Sequence, residues 1–205
     1  METISYEYED ALYVNLTNRC DCACVFCLRQ NGHKGSIYAD DLWLDHEPTR
    51  DEALRDLLDR DLPKYRELVF CGFGEPTFRL DDILWIVDEL KRTVPGLPSV
   101  RINTNGHASL LQGRDVCPDL QGRIDVLSIS LNGSTPEEYL AVTRPRDGIL
   151  AWNAMLEFTR EAVKYVPTVM MTVVDKDKSP EELQRCRALC ESLGARLRVR
   201  AYIPD

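Results

Sequence analysis

Four of the eight cysteines in this 205-residue chain lie within eight positions of one another. Cys20, Cys24 and Cys27 form a C-x3-C-x2-C pattern, with Phe26 directly before the last cysteine. Three thiolates on one short loop can ligate three corners of an iron–sulfur cube and leave the fourth iron open to another ligand. Structural zinc is the alternative, because zinc usually takes four protein ligands and Cys22 could supply the fourth. The spacing therefore predicts a metal-binding loop over residues 20–27.

Two further polar segments each follow a predicted strand. Gly72-Phe73-Gly74-Glu75-Pro76 comes after the apolar run 68–71, and Asn103-Thr104-Asn105-Gly106 ends the run that starts at Val100. Glycines let a main chain approach a ligand closely, and Glu75 offers a negative charge to a cationic group. Loops at the carboxyl ends of parallel strands converge on one mouth, so these segments and the cysteine loop are expected to meet there.

The elements that must position these loops alternate between short β-branched runs and helical stripes, which is typical of βα units around a parallel sheet. Capping-box patterns and Pro at the first helical position mark helix starts at Thr49, Thr135 and Ser179. We predict an α/β fold, an incomplete (βα)6 TIM-like barrel, as a single domain over residues 1–205 without a C-terminal accessory domain. A flat doubly wound sheet is the rival, and strand count does not separate the two. The predicted strands are Leu12–Leu16, Leu68–Cys71, Val100–Asn103, Val126–Leu131, Thr168–Val174 and Leu197–Ile203.

Composition limits the partners that the chain can be expected to have. The formal net charge of -9 disfavours broad nucleic-acid binding, which requires Lys and Arg to neutralise phosphates. No apolar run reaches the roughly 18 residues that a membrane helix needs, and the acidic first residues do not resemble a secretory signal, so we expect a cytoplasmic chain. Arg198, Arg200 and Tyr202 alternate on the last predicted strand, where they would bind an anionic substrate group if they face the barrel interior.

Together, the cysteine pattern, the Gly-Glu-Pro loop and the Thr-Asn-Gly segment resemble the radical S-adenosylmethionine (SAM) superfamily over nearly the whole chain. The resemblance implies a [4Fe–4S] cluster on Cys20, Cys24 and Cys27, with SAM bound at its open iron. It also assigns the SAM contacts residue by residue. They are Phe26, Gly72, Gly74, Glu75, Pro76, Asn103, Asn105, Ser128, Ser130, Arg144 and Val174.

The activity implied by the resemblance is reductive cleavage of SAM to a 5′-deoxyadenosyl radical, which abstracts hydrogen from an unidentified substrate. Its partners would be an external one-electron donor of the flavodoxin or ferredoxin type and a small-molecule, peptide or nucleoside substrate. The stretch from Leu12 to Cys20 further resembles the small radical SAM proteins known as TatD-associated.

Three other functions are weighed against this one. A glycyl-radical-enzyme activase belongs to the same superfamily and is equally compact. A 7-carboxy-7-deazaguanine synthase is disfavoured, because that family carries a small hydroxyl residue where this chain has Leu28. A zinc or iron–sulfur module without SAM chemistry would not explain the Gly-Glu-Pro loop.

The remaining cysteines and histidines are interpreted as structural. Cys186 and Cys190 share an apolar helical stripe and are predicted to fill the core, and Cys71 is predicted to be a packed thiol near the mouth. His33 and His107 fall on loops at the mouth, where a surface histidine is expected more often than a proton donor.

Overall fold

The computed structural model describes residues 3–27, 42–176 and 178–202, and it places seven strands in one sheet of order β1 to β7. The predicted residues Leu28, His33 and Ile203 lie outside these ranges. The strands are β1 Ser5–Tyr8, β2 Ala11–Val14, β3 Glu67–Phe70, β4 Ser99–Thr104, β5 Val126–Ser130, β6 Thr168–Val174 and β7 Arg196–Arg200.

The order of the strands decides between the two predicted architectures. The strands β2 to β7 are all parallel, and each pairs with the next one along the chain. A doubly wound sheet would reverse its order at a switch point, whereas this sheet advances in one direction only. The fold is therefore the predicted six-stranded βα arrangement. The antiparallel strand β1, which pairs with β2, is an addition that the sequence did not reveal.

Within the described residues six α-helices connect the strands, and three of them start at the predicted capping residues. Thr49 and Ser179 form complete capping boxes. Thr135 makes half of one, because its side chain accepts from the Glu138 amide while the Glu138 carboxylate accepts from Ser134 instead. The helices are α1 Arg50–Leu58, α2 Leu80–Thr93, α3 Ala108–Gln112, α4 Pro136–Thr143, α5 Ile149–Ala162 and α6 Pro180–Ser192.

The two faces of the sheet differ in chemistry, as period-two alternation requires. One face carries buried apolar side chains such as Phe70, Ile102 and Met171, which join the core with the helices. Cys186 and Cys190 are fully buried in that core, which confirms their prediction. The alternate positions, among them Arg101 and Ser128, form a polar inner face. No helix within the described ranges combines the length and the apolar character that crossing a membrane demands.

Candidate active site at the carboxyl ends of the strands

The cysteine loop follows β2 and is fixed by main-chain hydrogen bonds to the end of α4. The amide of Ala23 donates to the carbonyls of Thr143 and Arg144, at 3.1 and 3.2 Å, and the amide of Val25 donates to Val142 at 2.9 Å. Backbone bonds of this kind hold a loop without using its side chains. The main chain of the cysteine loop is therefore held against the end of α4.

The four thiols of this loop lie in two environments. Cys20, Cys24 and Cys27 are partly exposed, whereas Cys22 is buried and its Sγ lies 3.4 Å from the Asn105 side-chain amide. Donor atoms of Cys20, Asp21 and Cys22 lie within 4.8 Å of one another, as a single ion would require. Both Asp21 oxygens are already hydrogen-bonded within the protein, however, so this trio does not make a free ion site. The three partly exposed thiols fit a larger iron–sulfur cube.

The glycine loop, residues 72–76, packs directly against residues 17–19, which form the stem of the cysteine loop. The Glu75 amide donates to the Arg19 carbonyl at 2.8 Å. A Cβ on Gly74 would lie 2.3 Å from the Thr17 carbonyl oxygen, and one on Gly72 would lie 1.9 Å from Asn15 Oδ1. At both positions the close approach of two protein segments explains the glycine. The sequence predicts the close approach of a ligand there instead.

Glu75 is buried and its carboxylate is bonded on both oxygens. Oε1 accepts from the hydroxyls of Thr77 and Thr104, at 2.6 and 2.7 Å, and Oε2 accepts from the Asn105 amide at 2.7 Å. Burial raises the pKa of this carboxyl group, and these donors oppose the rise. Glu75 therefore ties the glycine loop to the end of β4. Its predicted contact with the SAM ammonium group stays a prediction.

A buried hydrogen-bond chain joins the cysteine loop to α3 and α4. Asp21 accepts from the Asn105 side chain at 2.6 Å and lies 2.7 Å from Nδ1 of His107, whose Nε2 lies 2.7 Å from the Tyr139 hydroxyl. Burial raises the pKa of Asp21, but hydrogen bonds from His107 and Asn105 outweigh it and leave the pKa below its usual value. The expectation that His107 is a surface residue is wrong, because its side chain is fully buried.

Four of the eleven predicted SAM contacts line one of two pockets. Phe26 and Val174 line a pocket of about 400 Å³ beside the cysteine loop, together with Asn132. Asn103 and Ser128 instead line a second pocket of about 340 Å³ on the inner face of the sheet.

Seven predicted contacts line neither pocket: Gly72, Gly74, Glu75 and Asn105, described above, and Pro76, Ser130 and Arg144. Pro76 is buried at the start of a 3-10 turn, Pro76–Arg79. Ser130 is half-buried at the end of β5. Arg144 is exposed and ends α4 with a φ of 47°.

The donor chemistry fits an iron–sulfur cluster and a nucleotide-sized ligand. Three soft thiols, partly exposed on one loop, lie beside a pocket that is bordered by the aromatic ring of Phe26. A parallel barrel-like sheet with such a loop at its carboxyl end defines a metal-dependent βα enzyme.

Comparison with known proteins identifies the family. The model of the Radical SAM superfamily matches residues 14–190, and the chain belongs to that superfamily. It is therefore a radical SAM enzyme, of a family that uses a [4Fe–4S] cluster and SAM. This agrees with the sequence prediction of a radical SAM enzyme that uses these two cofactors.

Two curated relatives show how far the sequence similarity extends. Molybdenum cofactor biosynthesis protein 1 of Bos taurus is 28% identical over 199 residues, which are 94% of this chain and 28% of the relative. GTP 3′,8-cyclase of Corynebacterium glutamicum is 30% identical over 203 residues, which are 94% of this chain and 49% of the relative. The chain thus spans less than half the length of either relative.

Solved structures show the same fold. A radical SAM methyltransferase from Sphaerobacter thermophilus matches with a TM-score of 0.67 at 14% identity, over 96% of this chain and 57% of that one. Streptococcus suis SuiB bound to S-adenosylmethionine matches with a TM-score of 0.61 at 18% identity, over 93% of this chain and 38% of that one.

Proposed function

We propose that Cys20, Cys24 and Cys27 hold the [4Fe–4S] cluster and that SAM occupies the adjoining pocket at Phe26 and Val174. When bound, this pair of cofactors supplies a 5′-deoxyadenosyl radical, which abstracts hydrogen from a substrate not yet identified. The chain's own residues fix the cluster loop, shape the pocket and limit the access of water.

One observation carries this proposal: the three motif loops form a single hydrogen-bonded unit. Arg19 bonds the glycine loop, Glu75 bonds Asn105, and Asn105 bonds Asp21 between two of the cysteines. The distances lie between 2.6 and 2.8 Å. An unrelated set of surface loops would have no reason to share buried bonds of this length, whereas a site for two adjoining cofactors needs fixed loops.

The test is reconstitution under anaerobic conditions with iron and sulfide, followed by reduction with dithionite in the presence of SAM. We expect a full [4Fe–4S] complement of iron and formation of 5′-deoxyadenosine. Cys24→Ala should lose both. Cys22→Ala is the matched control, since Cys22 lies on the same loop but is buried, and it should retain iron. Fully loaded wild-type protein that produces no 5′-deoxyadenosine would contradict the proposal.

The electron donor is proposed to be a flavodoxin or ferredoxin, because membership of the superfamily implies a one-electron reduction of the cluster by an external donor. Replacing dithionite by a reduced flavodoxin should then sustain 5′-deoxyadenosine formation. A single domain without an accessory unit, and kinship with the TatD-associated group, remain predictions.

Among small molecules, peptides and nucleosides, the names of the relatives favour a nucleotide. Two of them are named GTP 3′,8-cyclase. Incubation of the loaded enzyme with GTP and SAM tests this directly, and hydrogen abstraction would show as 5′-deoxyadenosine formation that depends on GTP.

A further inference from the structure

The inner face of the sheet holds a polar pocket to which the motif segments contribute only Asn103. It has a volume of about 340 Å³ and lies between the turn that joins β1 to β2 and the edge strand β7. Its charged and polar lining residues come from both sides of the barrel. They include Tyr13, Glu67, Arg101, Asn103, Arg198 and Arg200.

The charges of this pocket do not balance. Glu67 pairs with Arg101 at 3.0 Å, and Asp10 pairs with Arg66 at 3.0 Å. Within residues 3–27, 42–176 and 178–202, neither Arg198 nor Arg200 forms an ion pair. The pocket is lined by four arginines and by three acids, the third of which is Glu9, so one positive charge is in excess in a chain whose net charge is -9.

Buried polar atoms without partners concentrate in the same place. Among the described residues, three buried side-chain polar atoms have no hydrogen-bond partner, and two of them, Arg101 Nε and Asn103 Oδ1, belong to residues that line this pocket. The Arg101 side chain is only 8% exposed. Leaving such atoms unpaired is costly, so they indicate a site that a polar ligand completes.

We propose that this pocket binds the substrate through an anionic group, a phosphate or a carboxylate, held by Arg198 and Arg200. Arginine suits both anions, because its planar guanidinium donates two parallel hydrogen bonds. Asn103 and Arg101 then bond polar atoms deeper in the pocket. Asn103 lies two residues before Asn105, whose side chain bonds Asp21 of the cysteine loop. That the ligand is a substrate rests on the proposed function.

The test is calorimetric titration of the iron-loaded protein with two probes, pyrophosphate and citrate, at constant chloride concentration. We expect saturable binding of at least one probe, weakened tenfold or more by Arg198→Ala and by Arg200→Ala. Arg196→Ala is the matched control, because Arg196 is exposed on the same strand and does not line the pocket, and it should change the affinity less than twofold.

The preference between the probes identifies the anion as phosphate or carboxylate. Absence of saturable binding by both probes, or an equal loss in Arg196→Ala, would overturn the inference. Titration of SAM into the same preparations separates the two proposals. Wild-type protein that binds a probe but neither iron nor SAM would contradict the proposed function alone, whereas protein that binds iron and SAM but neither probe would contradict only this inference.

Discussion

The Asp21 carboxylate lies 2.7 Å from Nδ1 of His107, and both side chains are fully buried. Because a carboxylate can only accept, Nδ1 donates its proton in this bond. Asp21 sits between Cys20 and Cys22, while His107 precedes α3. Together with the bond from the Asn105 side chain to Asp21, this bond fixes the position of the cysteine loop relative to the end of β4.

We predict that His107→Ala destabilises the fold by about 3 kcal/mol, because it leaves Asp21 and the Tyr139 hydroxyl without their shared partner in the interior. Iron retention should fall as well, since the loop that carries Cys20 loses its support. Urea unfolding under anaerobic conditions measures the first effect, and iron content after gel filtration measures the second.

Tyr139→Phe is the control for this prediction. It removes one hydroxyl and leaves the bond between Asp21 and His107 in place, so we expect a loss of about 1 kcal/mol and normal iron content. If His107→Ala and Tyr139→Phe lower the free energy of unfolding by the same amount, the bond between His107 and Asp21 adds nothing to the stability of the fold.

A second prediction concerns three glycines. The loss of stability on substitution by Ala should depend on which atoms the added methyl group would meet. Gly74→Ala places Cβ against the Thr17 and Arg19 backbone and should cost about 3 kcal/mol. Gly72→Ala meets the Asn15 side chain, which can shift, and should cost less. The methyl group of Gly96→Ala would meet no atom closer than 4.0 Å, but the backbone has a φ of 76°. Only the left-handed conformation then disfavours Ala, and we expect a loss of about 1 kcal/mol. Thermal unfolding of the three variants checks the ranking, and Gly96→Ala as the worst of them would refute it.

Much of the architecture could be predicted because its signals are local. The alternation of strands and helices, the capping residues Thr49 and Ser179 and the cysteine spacing each depend on neighbours a few positions apart. The choice between a barrel-like and a flat sheet could not be made from such local signals, because it depends on which strands pair.

The features that sequence reasoning missed depend on distant or unusual residues. Strand β1 turns into β2 through Glu9 and Asp10, with Glu9 at a φ of 54°, a position usually marked by Asn or Gly. The burial of His107 depends on Asp21 and Tyr139, which lie 86 and 32 positions away along the chain. No spacing rule connects residues so far apart.

A third prediction tests how Glu75 ties two loops together. Glu75→Gln replaces one accepting oxygen by an amide that donates. This amide would face the Thr77 N–H at Oε1, 3.1 Å away, or the Asn105 N–H at Oε2, and neither of these groups can accept. We expect a loss of about 2 kcal/mol and weaker SAM binding, measured by urea unfolding and calorimetry. Thr104→Val is the matched control, because Val has a similar size and lacks the hydroxyl that donates to Glu75 and accepts from the Gly106 amide. It keeps the Glu75 carboxylate, so we expect weaker folding by about 1 kcal/mol but unchanged SAM binding. Unchanged stability in Glu75→Gln would show that the four hydrogen bonds contribute nothing.

The last prediction is a pH dependence that arises at Glu47. Its carboxylate accepts from the Thr17 hydroxyl and pairs with Arg19 at 2.9 Å and with Arg79 at 3.6 Å. Burial raises the pKa of Glu47, but the bonds to Thr17 and Arg19 outweigh it, and the net pKa is lower in the folded chain than its usual value. An unfolded glutamate titrates near pH 4.3, at about its ordinary pKa. The stabilisation is therefore fully present above about pH 4.3 and is lost as the pH falls through the lower folded pKa.

Since the side chain is partly exposed, we expect Glu47→Gln to cost only about 1 kcal/mol at pH 7. Urea unfolding of both proteins from pH 7 down to pH 3.5 should show the difference between them shrinking below pH 4.3. A difference that stays constant over this range would mean that the Glu47 charge does not stabilise the stem of the cysteine loop.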